Sequence, residues 1–457
     1  MHRILLALAL LSATFAPAQT PPPPATPPLS NEDLISLARS GSPDLPQAIR
    51  STFSARELGE GTAFRGHLHD FFFATEATSA PNLFLDDADT DPAKPAQGLA
   101  MQHIPGTDLY YATARIAQLG SLHRFSYLIA DKRFGGRLDL PAFTEDHYAH
   151  PGVPTGTLSP KLSHISKIYD GMTSEYWIYV PTQYDPRTPA ALMVFQDGSG
   201  YGNRDGDHGI LNDLDNLIAQ GKIPVMIAVF INPGDISAHP GTPTYTAVDA
   251  FAKQWSRTLS DSMRSTEYDT VSDRYPRFLR DEILAEVAGK YNIRKDAYSR
   301  AITGLSSGGI CSFNAAWQQP DQFARVITWI GSFTAIQWHE DPNVPDGGQD
   351  YPEKILREPH RNLRAWLADG SNDQENERYG SWPLANIRMA NALHLKGYDM
   401  HLSFAHGTHN PAHGAAEFPA EMTWLWRGYD PAKTSETFTI DPAERSKPPF
   451  RVAINNR

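Results

Sequence analysis

The run Ala301-Ile302-Thr303-Gly304-Leu305-Ser306-Ser307-Gly308-Gly309-Ile310 sets a serine between glycines at G-x-S-x-G spacing. An apolar stretch leads into it and a helix-compatible stretch follows as far as Trp317. That setting suits a sharp strand-to-helix turn. The glycines avoid Cβ clashes, the turn pushes the Ser306 hydroxyl outward, and the start of the helix favours developing negative charge beside it. The chemistry implied is attack on a carbonyl carbon. A serine hydroxyl needs a base to take its proton, and in this kind of site a carboxylate and then a histidine follow the serine in chain order.

The carboxylate candidates follow the apolar stretch Leu363 to Ala368, in Asp369-Gly370-Ser371-Asn372-Asp373-Gln374-Glu375. Asp373 is preferred, because it lies on the loop beyond the strand end, where it can meet an imidazole from the next strand. Asp369 sits closer to the strand and could cap the turn at Gly370, and it stays open as the alternative. The histidine candidates lie in His406-Gly407-Thr408-His409-Asn410-Pro411-Ala412-His413. His409 is preferred, since Gly407 frees the backbone before it and Pro411 fixes the loop after it, with His406 and His413 as alternatives. A metal site built from these three histidines is disfavoured, because the Gly and Pro interrupt the helix that would align them and no H-E-x-x-H run occurs. No metal and no cofactor are expected.

An oxyanion needs two fixed N–H donors, each worth about 3 kcal/mol of barrier. One is the Ser307 backbone N–H. The other is expected from the loop Gln196-Asp197-Gly198-Ser199-Gly200-Tyr201, with the Ser199 N–H first and Gly198 as the fallback. Asp197 and Gly198 are also expected to line the substrate site, although a turn-stabilising role for Asp197 is equally open.

Elements that could hold these residues are visible on either side. From about Lys161 onward, strand-like runs alternate with helical patterns. Strands are expected at Glu175 to Val180, Ala191 to Phe195, Pro224 to Ile231, Arg300 to Thr303, Val326 to Ile330, Leu363 to Ala368 and Met400 to Phe404. Helices are expected at Arg277 to Tyr291 and Leu384 to Leu395. This alternation predicts a largely parallel sheet with helices on both faces. Upstream, residues 31 to 55 read as two short helices with Asn31 as the first cap. Residues 62 to 127 read as short strands separated by turns, the grammar of an immunoglobulin-like sandwich. The Pro- and Gly-rich stretch Leu138 to Pro160 marks the junction. The pair His67 and His69 is taken as an ordinary strand feature.

The 457 residues carry a formal net charge of −12 and no Lys/Arg cluster, which excludes nucleic acid and anionic membranes as natural partners. The single cysteine, Cys311, allows no intramolecular disulfide and reads as a small buried hydrophobe. Residues 1–18 have the pattern of a secretory signal, which predicts a secreted or periplasmic protein, and the Pro-rich residues 19–29 form an extended tether. The apolar run at Ile4 to Leu11 is too short for a bilayer span, and no later stretch is long enough. The organisation expected is thus a signal (1–18), a tether (19–29), a helical lead-in with a β domain (30–150), an α/β domain (160–430) and a tail (431–457).

Together with the closing Met422-Thr423-Trp424-Leu425-Trp426, these motifs resemble the esterase D or enterochelin esterase-like family, related to feruloyl and acetylxylan esterases and the antigen 85 acyltransferases. The resemblance covers about Lys161 to Tyr429 and implies an α/β-hydrolase domain. The upstream segment resembles the immunoglobulin-like module that often precedes such domains. Carried over by position, the family's triad falls on Ser306, Asp373 and His409, and its oxyanion donors on the N–H groups of Ser199 and Ser307. Two departures matter. Ser307 stands where many relatives carry Met, and the site loops show little Lys or Arg for an anionic catecholate. The resemblance implies a small-molecule or glycan ester as partner, with an acyl ester of a carbohydrate favoured over a siderophore ester. A catalytically silent glycan-binding protein on the same scaffold is the rival from a different class. The sequence sets no oligomeric state.

Overall fold

The computed structural model describes residues 29–86, 98–136, 139–204, 208–238, 259–337 and 347–451. The expected signal and nearly all of the tether lie outside the described residues, as do the last six residues of the tail.

The lead-in helix Asn31–Ser40 is capped by Ser30, whose hydroxyl accepts from the Asp33 N–H while Asp33 reaches back to the Ser30 backbone. Asn31, the expected cap, is instead a buried first-turn residue that donates to the Asp70 carbonyl. Two further short helices, Leu45–Thr52 and Ala55–Glu60, follow.

The strands of the next unit are β1 (Ala63–His67), β2 (Asp70–Glu76), β3 (Asn82–Asp86), β4 (Leu99–Ala100), β5 (Gln102–His103), β6 (Leu109–Arg115), β7 (Ser121–Ile129), β8 (Lys132–Phe134) and β9 (Leu140–Ala142). They form two antiparallel sheets, ordered β1-β2-β6-β5 and β4-β3-β7-β8, with β9 also on β7. The period of two along β2 sends Phe71 and Phe73 into the core shared with Leu83, Phe125 and Tyr127 of the second sheet. It sends Phe72 and Ala74 the other way, against Leu34, Ile49 and Leu58 of the lead-in helices. The three consecutive phenylalanines are therefore all buried. His67 and His69 flank the β1–β2 turn rather than alternate along one strand, because Leu68 between them has φ +49° and reverses the chain.

The larger unit holds β10 (Thr157–Leu158), β11 (Leu162–Ile165), β12 (Thr173–Val180), β13 (Ala191–Gln196), β14 (Met226–Ile231), β15 (Asp235–Ala238), β16 (Leu259–Ser262), β17 (Arg300–Leu305), β18 (Arg325–Trp329), β19 (Arg364–Gly370) and β22 (Asp399–Ala405); the small hairpin β20 (Glu375–Asn376) and β21 (Gly380–Ser381) stands apart. The main order is β16-β15-β12-β14-β13-β17-β18-β19-β22, parallel from β14 through β22, with β12 antiparallel to β14. Helices cover both faces over two separate apolar cores. This is a mixed α/β fold consistent with the α/β-hydrolase architecture expected.

The helix expected from Arg277 to Tyr291 is present as a continuous run, Arg274–Phe278, a π-helical turn at Leu279–Ile283 and Leu284–Lys290. The junction is not bare loop: β9 belongs to the first unit and β10 to the second. Between them, the Asn216 amide donates to the Asp146 and Tyr148 carbonyls, both at 2.7 Å, and clips the connection onto the helix Ile210–Ala219. Among the described residues, no helix is long and apolar enough to cross a membrane.

Candidate active site

Ser306 lies at the end of β17, in front of the helix Ser307–Gln318, with φ +56° and ψ −121°. A non-glycine residue rarely holds such a backbone, and it holds here because the turn is pinned from several sides. The Ser306 N–H donates to the Trp329 carbonyl at 2.9 Å, and its carbonyl accepts from Gly309 (2.9 Å) and Ser332 (3.0 Å). A Cβ on Gly304 would come within 2.4 Å of the Gly308 carbonyl oxygen, so the turn closes only with glycine there.

Asp373 and His409 come from neighbouring loops beyond β19 and β22. At Gly370, a Cβ would stand 2.2 Å from the Gly407 carbonyl oxygen, so the two loops touch backbone to backbone. The Asn372 N–H donates to the same carbonyl at 3.2 Å, and the Asn372 amide donates to the His406 carbonyl at 2.6 Å. This contact brings His409 Nδ1 to 2.5 Å from Asp373 Oδ1 and His409 Nε2 to 2.8 Å from Ser306 Oγ. A buried carboxylate can only accept, so it holds the imidazole proton on Nδ1 and leaves Nε2 free to receive the serine proton.

Asp369 adjoins this pair. Its Oδ1 accepts from the Gly370 N–H at 2.6 Å, as a turn cap does. Burial, and then the neighbouring Asp373, push its carboxyl well above the usual carboxylate range. His406 and His413 do not join the serine. His406 meets the Ser371 hydroxyl, and His413 is buried against Glu417. Among the described residues, no group of three or more His, Cys, Asp or Glu could hold a metal ion.

The loop after β13 differs from expectation. The Ser199 N–H already donates to Asn232 Oδ1 at 2.9 Å, so the donor assigned to an oxyanion is turned onto a side chain from beyond β14. Asp197 stands beside the serine turn, its Oδ2 3.0 Å from where a Cβ on Gly308 would be, and it is one half of an ion pair. Arg264 grips both its carboxylate oxygens, at 2.9 and 2.8 Å, and its backbone is left-handed at φ +56°. Gly198 is buried where a Cβ would stand 2.3 Å from the Phe230 carbonyl carbon, and Ser307 begins the helix behind Ser306.

Two participants escaped the sequence reading. Ser332 Oγ lies 3.2 Å from Ser306 Oγ and accepts from Trp382 Nε1 at 3.1 Å. The indole N–H can only donate, so Ser332 Oγ accepts from it, and when the Ser306 hydroxyl donates to His409 the Ser332 hydroxyl is left to donate to Ser306. The Trp382 ring also stands edge-on to His409, at 5.6 Å between centroids. Arg264 is the second, and its position beyond β16 carries no motif. Cys311 is buried, and burial pushes its thiol up.

A family model described as putative esterase matches residues 172–425, more than half of the chain. The uncharacterized protein YbbA of Bacillus subtilis (strain 168) is 22% identical over 167 residues, which are 36% of this chain and 58% of that protein. The chain thus matches less than two thirds of that relative's length. Among solved structures, the enterobactin esterase of Shigella flexneri in the presence of enterobactin shares its fold, at 15% identity and a TM-score of 0.51, over 85% of this chain and 98% of that one. A ferulic acid esterase from Anaeromyces mucronatus aligns with a TM-score of 0.42 and 14% identity, over 61% of this chain and 94% of that one.

Proposed function

The chain belongs to the putative esterase family, and from that premise we propose that it is a serine carboxylic-ester hydrolase working through Ser306, His409 and Asp373. One observation carries the reading: the unbroken line from Asp373 Oδ1 through His409 to Ser306 Oγ, at 2.5 and 2.8 Å. His409 Nε2 takes the Ser306 proton as Oγ attacks the ester carbonyl. Asp373 stabilises the imidazolium that forms. The oxyanion rests on the Ser307 N–H at the helix start and, with Ser199 engaged by Asn232, on the Gly198 N–H. His409 then protonates the departing alcohol, leaving an acyl-Ser306. Water, deprotonated by the same imidazole, releases the acid and restores the serine.

For the substrate we favour an acyl ester of a carbohydrate. The net charge of −12 disfavours a polyanionic catecholate ester, and Arg264 is neutralised by Asp197. Residues 1–18 support export, and the two-sheet unit supports an immunoglobulin-like reading of the N-terminal region. Purified protein tested on acetylated and feruloylated oligosaccharides beside a catecholate-serine ester decides among these. Turnover of the sugar esters, abolished by Ser306→Ala, is expected. Preference for the catecholate ester would replace the substrate class. Glycan binding without hydrolysis of any ester would overturn the enzyme.

A further inference from the structure

The segment Gly407 to Pro411 has no regular structure of its own, yet His409 within it has to meet two partners at once. The acid loop fixes one side of it through Gly370 and Gly407. On the other side the contact comes from the N-terminal β unit. Asp139, 3% exposed and immediately before β9, accepts from the Thr408 N–H at 2.8 Å, from the Thr408 hydroxyl and from the Asn410 side-chain amide. These donors belong to the residues directly before and after His409. Asn410 is itself braced, accepting from the Ala412 N–H at 2.8 Å as the helix Ala412–Leu425 begins. The placement of Asp139 is a consequence of sheet pairing. β9 lies along β7, with Leu122 opposite Pro141, and Leu122 also packs toward Gly407, where a Cβ would come within 3.1 Å of its Cδ1.

We propose that Asp139 is a positioning residue for His409, so that the N-terminal β unit is a working part of the active site rather than an appended module. The buried carboxylate gathers three donors from the two residues that flank His409, and it does so only when the β unit is docked. Holding both flanks of His409 fixes the direction of the imidazole, and displacement by about 1 Å is enough to cost roughly a hundredfold in rate. The proposal rests on the esterase reading for its kinetic arm only.

The test compares Asp139→Ala and Asp139→Asn with Asn216→Ala, which loosens the junction at the Asp146 and Tyr148 carbonyls instead of at the histidine loop. The unaltered protein should show a downfield imidazole N–H resonance, assigned to His409 by its absence in His409→Gln. In Asp139→Ala that resonance should broaden or vanish, and kcat should fall about a hundredfold with KM within about twofold. Asp139→Asn, which keeps one acceptor, should retain the resonance and lose roughly tenfold. Asn216→Ala should lower Tm without moving either readout. A normal resonance and kcat in Asp139→Ala, with only Tm reduced, would overturn the proposal. If that variant does not fold, Asp139→Asn and Asn410→Ala carry the same test, and unchanged kcat in both overturns it. Because the resonance is read without substrate, failure of the unaltered protein to hydrolyse any ester would sink the esterase reading and leave the Asp139 assignment to be judged on the spectrum.

Discussion

The turn carrying Ser306 and the loop carrying His409 present their side chains to each other across 2.8 Å, but they are built in opposite ways. The serine turn is made of adjacent residues. Strand, glycine, serine, glycine and helix follow one another, and the backbone bonds to Trp329, Gly309 and Ser332 complete it. The histidine loop is made by distant ones: Gly370 and Asn372 from the acid loop on one side, Asp139 and Leu122 from the β unit on the other. The nucleophile is thus shaped by local chain geometry and finished by backbone bonds to the neighbouring strand, whereas the loop of the base that serves it takes its shape from distant elements on both sides. Stability and catalysis are therefore coupled more tightly at the histidine.

Removing the reacting groups sets the upper end of what this contrast predicts. Ser306→Ala should lower kcat for a short aryl ester about a millionfold, and Asp373→Asn roughly ten-thousandfold. Steady-state assays decide, and a larger loss in Asp369→Asn than in Asp373→Asn would move the acid to Asp369. Next comes the backbone contact between the two loops. Gly370→Ala places a methyl 2.2 Å from the Gly407 carbonyl oxygen and should cost about a hundredfold in kcat with little change in KM. An effect below threefold would mean that the histidine loop holds its place without the acid loop.

A smaller effect is expected at Ser332. Ser332→Ala removes one donor to Ser306 Oγ and should lower kcat/KM roughly tenfold, with Trp382→Phe following in the same direction. Equal activity would show that the serine needs only His409.

The smallest effect concerns stability near the serine turn. Burial raises the Glu267 carboxyl to about 8, while its Oε2 accepts from the Gly234 N–H at 2.6 Å. Since the folded value lies above the unfolded one, the contribution to stability is complete below about pH 4.5 and is lost as pH rises through about 8. Glu267→Gln cannot ionise, so its Tm should fall by a few degrees less than that of the unaltered protein between about pH 6 and pH 9. Parallel Tm curves would count against the buried neutral acid.

The same contrast explains what the sequence disclosed. The run from Ala301 to Ile310, and the order serine, carboxylate, histidine, were legible because periodicity, glycine spacing and chain order are local properties. The main strands were legible for the same reason, with ends shifted by one or two residues, as at β19 and β22. Ser199 was not legible as a donor already engaged, since Asn232 reaches it from the end of another strand. The ion pair of Asp197 was not legible, because its partner Arg264 lies 67 residues away without a motif. Asp139 is 269 residues from Thr408, in a stretch read only as a junction. The π-helical turn inside the helix expected from Arg277 to Tyr291 was hidden because one extra residue leaves the apolar pattern nearly intact.

The central claim is that Ser306 is a nucleophile activated by His409. A fluorophosphonate probe, followed by peptide mass mapping, reads this directly without requiring the natural ester. The account predicts one adduct, on the peptide bearing Ser306, formed at a rate that collapses in His409→Gln and absent in Ser306→Ala. An adduct on another residue, or equal labelling in His409→Gln, would contradict it.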